Sequence, residues 1–230
     1  LLDLLLAYGV AAPLVGLAGV GFGGACGYFK RLLWNQGTAL LPDFSRSLKA
    51  HGLAFGGCFF GLGIMLVVLQ IYFAAVAGLD SLDIIARGFL LGAAVVFFFL
   101  FSSVSLWMAL QTLLYDLPFG SLLSNGLRFC FGFLPRNIGL GLLVFWPLAV
   151  AMLFPYAAVQ WSFVALIAVF HGGWAALIYT SKAVAVFDRV INAGHYPAVY
   201  RRGLDAGEQA GGRPDGGKNP DREKQNGNNL

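Results

Sequence analysis

Residues 88–115 read GFLLGAAVVFFFLFSSVSLWMALQTLLY, with Arg87 before them, Asp116 after them and no charged residue between. A helix needs about twenty apolar residues to cross a hydrocarbon core of about 30 Å, so this stretch crosses with tilt to spare. A soluble domain would have to cover every face of such a helix with protein, whereas lipid covers it unaided. The remainder of the 230-residue chain repeats the pattern. It is 58% hydrophobic and 11% charged, with a mean hydropathy of +0.74, against about 25% charged residues in an ordinary globular domain. The composition implies an all-α, polytopic membrane protein.

Four further spans follow from the same reasoning. Residues 4–29 are apolar up to Lys30-Arg31, and after Pro13 they carry Gly16, Gly19, Gly21, Gly23, Gly24 and Gly27. Gly19, Gly23 and Gly27 share one helical face, as small-xxx-small packing requires. The run is too long for a signal-peptide core and lacks a basic leader, so a retained span is expected. A polar connection follows, in which Asp43 is expected to cap a short interfacial helix over residues 43–50. Residues 52–78 form the second span, with Gly57-x-x-x-Gly61 and a lone Gln70; 88–115 is the third. Between them, Asp80 and Asp83 suit capping and the helix dipole better than a catalytic carboxylate pair.

After Pro118, residues Phe119, Leu122, Leu123, Gly126, Leu127 and Cys130 keep the spacing of one helical stripe, predicting a second amphipathic helix over 119–134 that stops before Pro135. From 138 to 181 the only ionisable residue is His171, and that length suits two spans, 138–156 and 161–181, reversing at Pro155 and Gln160-Trp161. Trp161 and Tyr179 would then lie in aromatic belts. Residues 205–230 are Gly, Asn, Asp, Lys and Gln with few apolar residues, the composition of a disordered tail. The expected architecture is a five-helix transmembrane bundle, residues 1–204, with two cytoplasmic interfacial helices.

Charge supports five spans. With alternating connections, one side holds Lys30, Arg31, Arg46, Lys49, Arg128, Arg136, Lys182, Arg189, Arg201 and Arg202, and the other holds Arg87. That bias places the N-terminus outside and the C-terminus in the cytoplasm. The unit of span, amphipathic helix and span occurs twice, which fits a parallel internal repeat and equally fits chance similarity between two short helices.

For chemistry the sequence offers little. Cys26, Cys58 and Cys130 are far apart and read as buried small hydrophobes, with no metal-ligand spacing. No nucleophile-and-base motif, phosphate loop or dinucleotide fingerprint is present, so neither an enzyme nor a bound cofactor is expected. Basic excess points to anionic headgroups, not nucleic acid. His171 is the one ionisable group deep in a predicted span and, with Gln70, Ser102, Ser103, Ser105 and Gln111, makes a candidate polar intramembrane site. Interhelical hydrogen bonding is the plainer use of the same residues.

The closing segment FDRVINAGHYPAVYRRGL, residues 187–204, resembles the end of the YesL-like family of predicted bacterial integral membrane proteins, through Asn192, Tyr196-Pro197, Tyr200 and Gly203-Leu204. Pro13, the aromatic-containing segment at Phe44 and Leu48, and the five-span layout extend the resemblance. It implies the bacterial cytoplasmic membrane and an accessory or scaffolding role beside solute uptake, carbohydrate among the candidates, with a membrane-protein partner or a second copy of the chain. It brings no catalytic or ligand residue. The alternative reading is a small permease with a polar path through His171 and the Ser102–Ser105 cluster.

Overall fold

The computed structural model describes residues 10–36, 38–79, 83–153, 170–192 and 194. Among them are six α-helices and no strand: α1 (Ala11–Leu33), α2 (Leu40–Ala77), α3 (Ile84–Gln111), α4 (Phe119–Gly132), α5 (Leu134–Leu153) and α6 (Gly172–Phe187), the last running into a π-helical turn, Asp188–Asn192. Three of them, α1 to α3, are long and apolar enough to cross a membrane; α4 and α5 make a fourth if the pair, bent by 86°, is one broken span. Large side chains such as Leu53, Ile84, Phe89 and Leu142 lie exposed on the outer faces, as lipid contact would leave them. The expected reversal at Pro155 and Gln160-Trp161, the Asp80 cap, residues 196–204 of the closing segment and the tail 205–230 lie outside the described residues.

Local chemistry sets the helix ends. α1 stops because Asn35 adopts a left-handed backbone (φ 52°), which lets Asn35 N–H donate to Leu32 and Gln36 N–H to Arg31, the double bond of a Schellman motif. Lys30 and Arg31 stand in that last turn, where positive charge meets the dipole's negative end. α3 begins where the Asp83 carboxylate accepts the Ala86 N–H at 2.7 Å, four residues earlier than the charge pattern suggested.

The separate interfacial helix expected over 43–50 does not occur as such: one 38-residue helix, α2, runs through it and through the second span. No glycine or proline interrupts residues 43–51, and Pro42 sits in the first turn, where its missing N–H costs nothing. Asp43 works at this start, accepting the Ala39 N–H at 2.9 Å. At 1.5 Å per residue the helix is about 57 Å long, nearly twice the thickness of an apolar core. The second unit is built differently, since α4 and α5 are separate and bent. The two units are therefore not structural copies.

α1 packs along the length of α2 and also against α6. Glycine makes the first contact possible. A Cβ on Gly23 would lie 2.8 Å from the Phe55 ring, one on Gly19 would run into Phe59, and one on Gly27 into Ser47. Gly63 meets the Ala12 backbone at 2.6 Å on the same measure. The Ser47 hydroxyl donates to the Gly23 carbonyl at 3.2 Å across this seam. Gly57 and Gly61 have no packing neighbour among the described residues, none of which lies within 4 Å of a Cβ on either, and both line an open apolar groove against α3 and α4. They stand on the opposite face of α2.

The two glycine sets respond differently to the same change. Gly23→Ala or Gly27→Ala overfills the seam and is expected to cost about 1–3 kcal/mol, read as a lower unfolding temperature in detergent. Gly57→Ala or Gly61→Ala should leave that temperature unchanged or raise it, by at most about 1 kcal/mol.

Candidate functional site

The α4–α5 break creates the first node of the site. Pro135, in the first turn of α5, has no N–H to donate and cannot extend α4. Asn137 reaches back across the bend: its Nδ2 donates to the Phe129 carbonyl at 3.1 Å, which also accepts the Phe133 N–H, and to the Cys130 carbonyl at 3.0 Å. Its Oδ1 accepts the Trp107 Nε1–H at 3.2 Å, tying the bend to α3. Gln111, fully buried one turn further on, donates to the Trp107 and Leu122 carbonyls, so α3 and α4 are joined twice by side-chain amides.

Trp107 then opens an aromatic cluster. Its ring centroid lies 5.1 Å from Phe129 and 5.7 Å from Phe187, and Phe187 is within 5.6 Å of Tyr115. Tilted and edge-on pairs of this kind each add about 0.5–1.5 kcal/mol beyond their burial. Around the cluster runs a polar chain: the Tyr115 hydroxyl donates to Asn192 Oδ1 at 2.5 Å, and Asn192 Nδ2 donates to Asp188 at 2.6 Å. Lys30 donates to the Leu113 carbonyl at 2.6 Å and lies over the Trp34 ring. The ends of α1, α3 and α6 are therefore fastened together at one end of the bundle. Arg87, at the start of α3, is roughly 40 Å away along that helix and donates to the Leu79 carbonyl.

Beside this packed end lies a cavity of about 420 Å³ between α1, α2, α3, α5 and α6. It brings together Ser102, Ser103 and His171, with Asn137 and Tyr179. The rest of its lining is apolar, from Phe22 and Phe59 to Val144. Three of its polar groups are engaged within the protein: Ser102 donates back to the Phe98 carbonyl at 2.7 Å, and Trp107 donates to Asn137. His171 begins α6 and is half-buried.

The other candidates do not join it. Ser105 faces the groove of about 660 Å³ formed with α2 and α4. Gln111 belongs to the α3–α4 joint, and Gln70 is exposed on α2, lining neither cavity. Among the described residues no three His, Cys, Asp or Glu side chains come together as a metal site needs; Cys26 and Cys130 are buried and Cys58 is partly so. Sequence reasoning passed over Trp107, Tyr115, Asn137 and Asp188, and gave Asn192 no role. The available signal was an amide two residues after Pro135, at a helix end where carbonyls need donors.

No family model, curated protein or solved structure matches this chain.

Asn137 offers the direct test of the node. Asn137→Leu keeps the volume and removes three hydrogen bonds, leaving buried groups unsatisfied at about 1–3 kcal/mol. Thermal unfolding in detergent should shift down clearly, while Ser124→Ala, on the exposed face of α4, should shift little.

Proposed function

We propose that this chain is an accessory or scaffolding component of a bacterial cytoplasmic membrane, associated with a solute-uptake system, and not a permease or an enzyme. In this reading five spans place the N-terminus outside and the C-terminus in the cytoplasm. The grouping of Lys30, Arg31, Arg46, Arg136, Lys182 and Arg189 around the fastened end, with Arg87 remote from it, supports that orientation. The kinship with YesL-like proteins, and with it carbohydrate as the solute, rests on the closing segment and the layout of the chain.

One observation carries the choice of an accessory role. The cavity that holds His171, Ser102 and Ser103 is walled by aromatic and aliphatic side chains, and Ser102, Trp107 and Asn137 already bond within the protein. A sugar entering it would strand several hydroxyls without partners, at a cost of a few kcal/mol each. The cavity suits an apolar group. The partner is a membrane protein of the uptake system or a second copy of the chain, meeting the exposed apolar faces.

The permease alternative draws on His171 and the serines sharing that one cavity, and the two readings separate experimentally. Purified protein in liposomes should take up labelled sugars no faster than protein-free vesicles, with His171→Ala making no difference. Mild-detergent extracts of native membranes should yield a co-purifying transporter subunit. Uptake several-fold above empty vesicles, abolished by His171→Ala, would establish the permease instead.

A further inference from the structure

We propose that the groove between α5 and α6 is a binding site for the headgroup of an anionic phospholipid. Arg136, Lys182 and Arg189 line this groove of about 500 Å³, together with Trp107, Phe133 and Leu143. Lys182 and Arg189 stand seven residues apart, two turns along one helical face, with Ala185 and Val186 between them on the same wall. Arg136 belongs to the first turn of α5, and its guanidinium lies 5.7 Å from the Phe133 ring centroid, which holds the charge at the groove mouth. All three cations are exposed.

No acidic side chain among the described residues pairs with any of them. The nearest in sequence, Asp188, is buried and turned inward, where it accepts from Asn192. The contrast with the other basic cluster is direct. Arg31 and Arg46 both pair with Asp43, at 3.2 Å and 3.7 Å, so that cluster is partly neutralised from within. The α5–α6 cluster gathers three like charges with no acidic partner among the described residues, and an external anion relieves their repulsion.

The groove's second property selects the kind of anion. From its cationic mouth it continues along Leu140 and Leu143 of α5, and Gly139 leaves the entrance open, with nothing within 4 Å of a Cβ there. A phosphodiester at Arg136, Lys182 and Arg189 with its acyl chains against the leucines fits both halves. Free phosphate fits the first alone. Basic pockets between transmembrane helices are used for headgroups in this way, with arginine favoured for its forked contact to phosphate. The inference rests on the chain residing in a bilayer and is independent of whether it is an accessory protein or a permease.

The test is lipid retention by the full chain. Protein reconstituted in nanodiscs of phosphatidylcholine with a minor share of phosphatidylglycerol is re-extracted in mild detergent, and the retained lipid is counted by native mass spectrometry. The triple variant Arg136→Gln, Lys182→Gln, Arg189→Gln is compared with Arg46→Gln, Lys49→Gln, Arg128→Gln, which removes the same charge elsewhere. Retained phosphatidylglycerol should fall about tenfold in the first and less than twofold in the second, and millimolar inorganic phosphate should not displace it. Should the triple variant fail to fold, Arg136→Gln and Lys182→Gln singly should each lower retention several-fold. Equal losses in both triple variants, equal retention of phosphatidylcholine, or displacement by phosphate would each overturn the proposal.

Discussion

Asn137 is the residue through which the described fold is held together. A proline two positions earlier ends the helical ladder, and in a medium without water carbonyls at a helix end need donors. One side-chain amide donates to two carbonyls of the last turn of α4, Phe129 and Cys130, and accepts the indole N–H of Trp107 with its oxygen. Because the partners belong to α3 and α4, the bend is fixed in direction as well as tolerated. Trp107, so oriented, becomes the wall on which Phe129 and Phe187 pack, and through Phe187 the last helix is brought to the same place.

The consequence is a bundle with unlike ends. Along α3, residues up to Phe101 are exposed or half-buried, with Ile84 at 86% exposure, while Ser103 and Ser105 and then Trp107 to Gln111 are buried. The change comes where α4 and α6 reach the helix. Apart from Phe98 and Phe99 at the cavity, many apolar side chains before that point lie exposed, an arrangement that suits a bilayer and would be untenable in water. Tyr115, Asn192 and Asp188 close the packed end, and the cavity holding His171 begins beside it.

How much of this could be read from residues alone divides by the kind of force. Helical class and the long apolar runs were legible, because burial in lipid is written into composition over twenty residues at a time. The spacing of Gly19, Gly23 and Gly27 marked a face that does meet another helix. The same spacing at Gly57 and Gly61 was misleading, since periodicity says which residues share a face and not which faces meet. The boundary near residue 51 failed for a related reason. A shift from amphipathic to apolar composition marks where the solvent changes, and α2 crosses that boundary without a break. The polar joints were least legible. Asn137 and Asn192 are single residues whose partners are supplied by other helices, and Trp107 and Tyr115 sit inside an apolar run that hides their hydrogen-bonding ends.

The same accounting bears on function. A membrane protein has few buried polar groups, and here most of those described are engaged in holding helices to one another or to themselves. Ser47 bonds α1, Gln111 joins α3 to α4, Asn137 secures the bend, Ser102 returns to its own helix and Asn192 fastens the last turn. A path for a hydrated solute needs polar groups left over, placed in sequence from one face of the membrane to the other. What the described residues present instead is an apolar cavity with a few polar members and exposed apolar helix faces. Those faces suit apolar partners, lipid or protein.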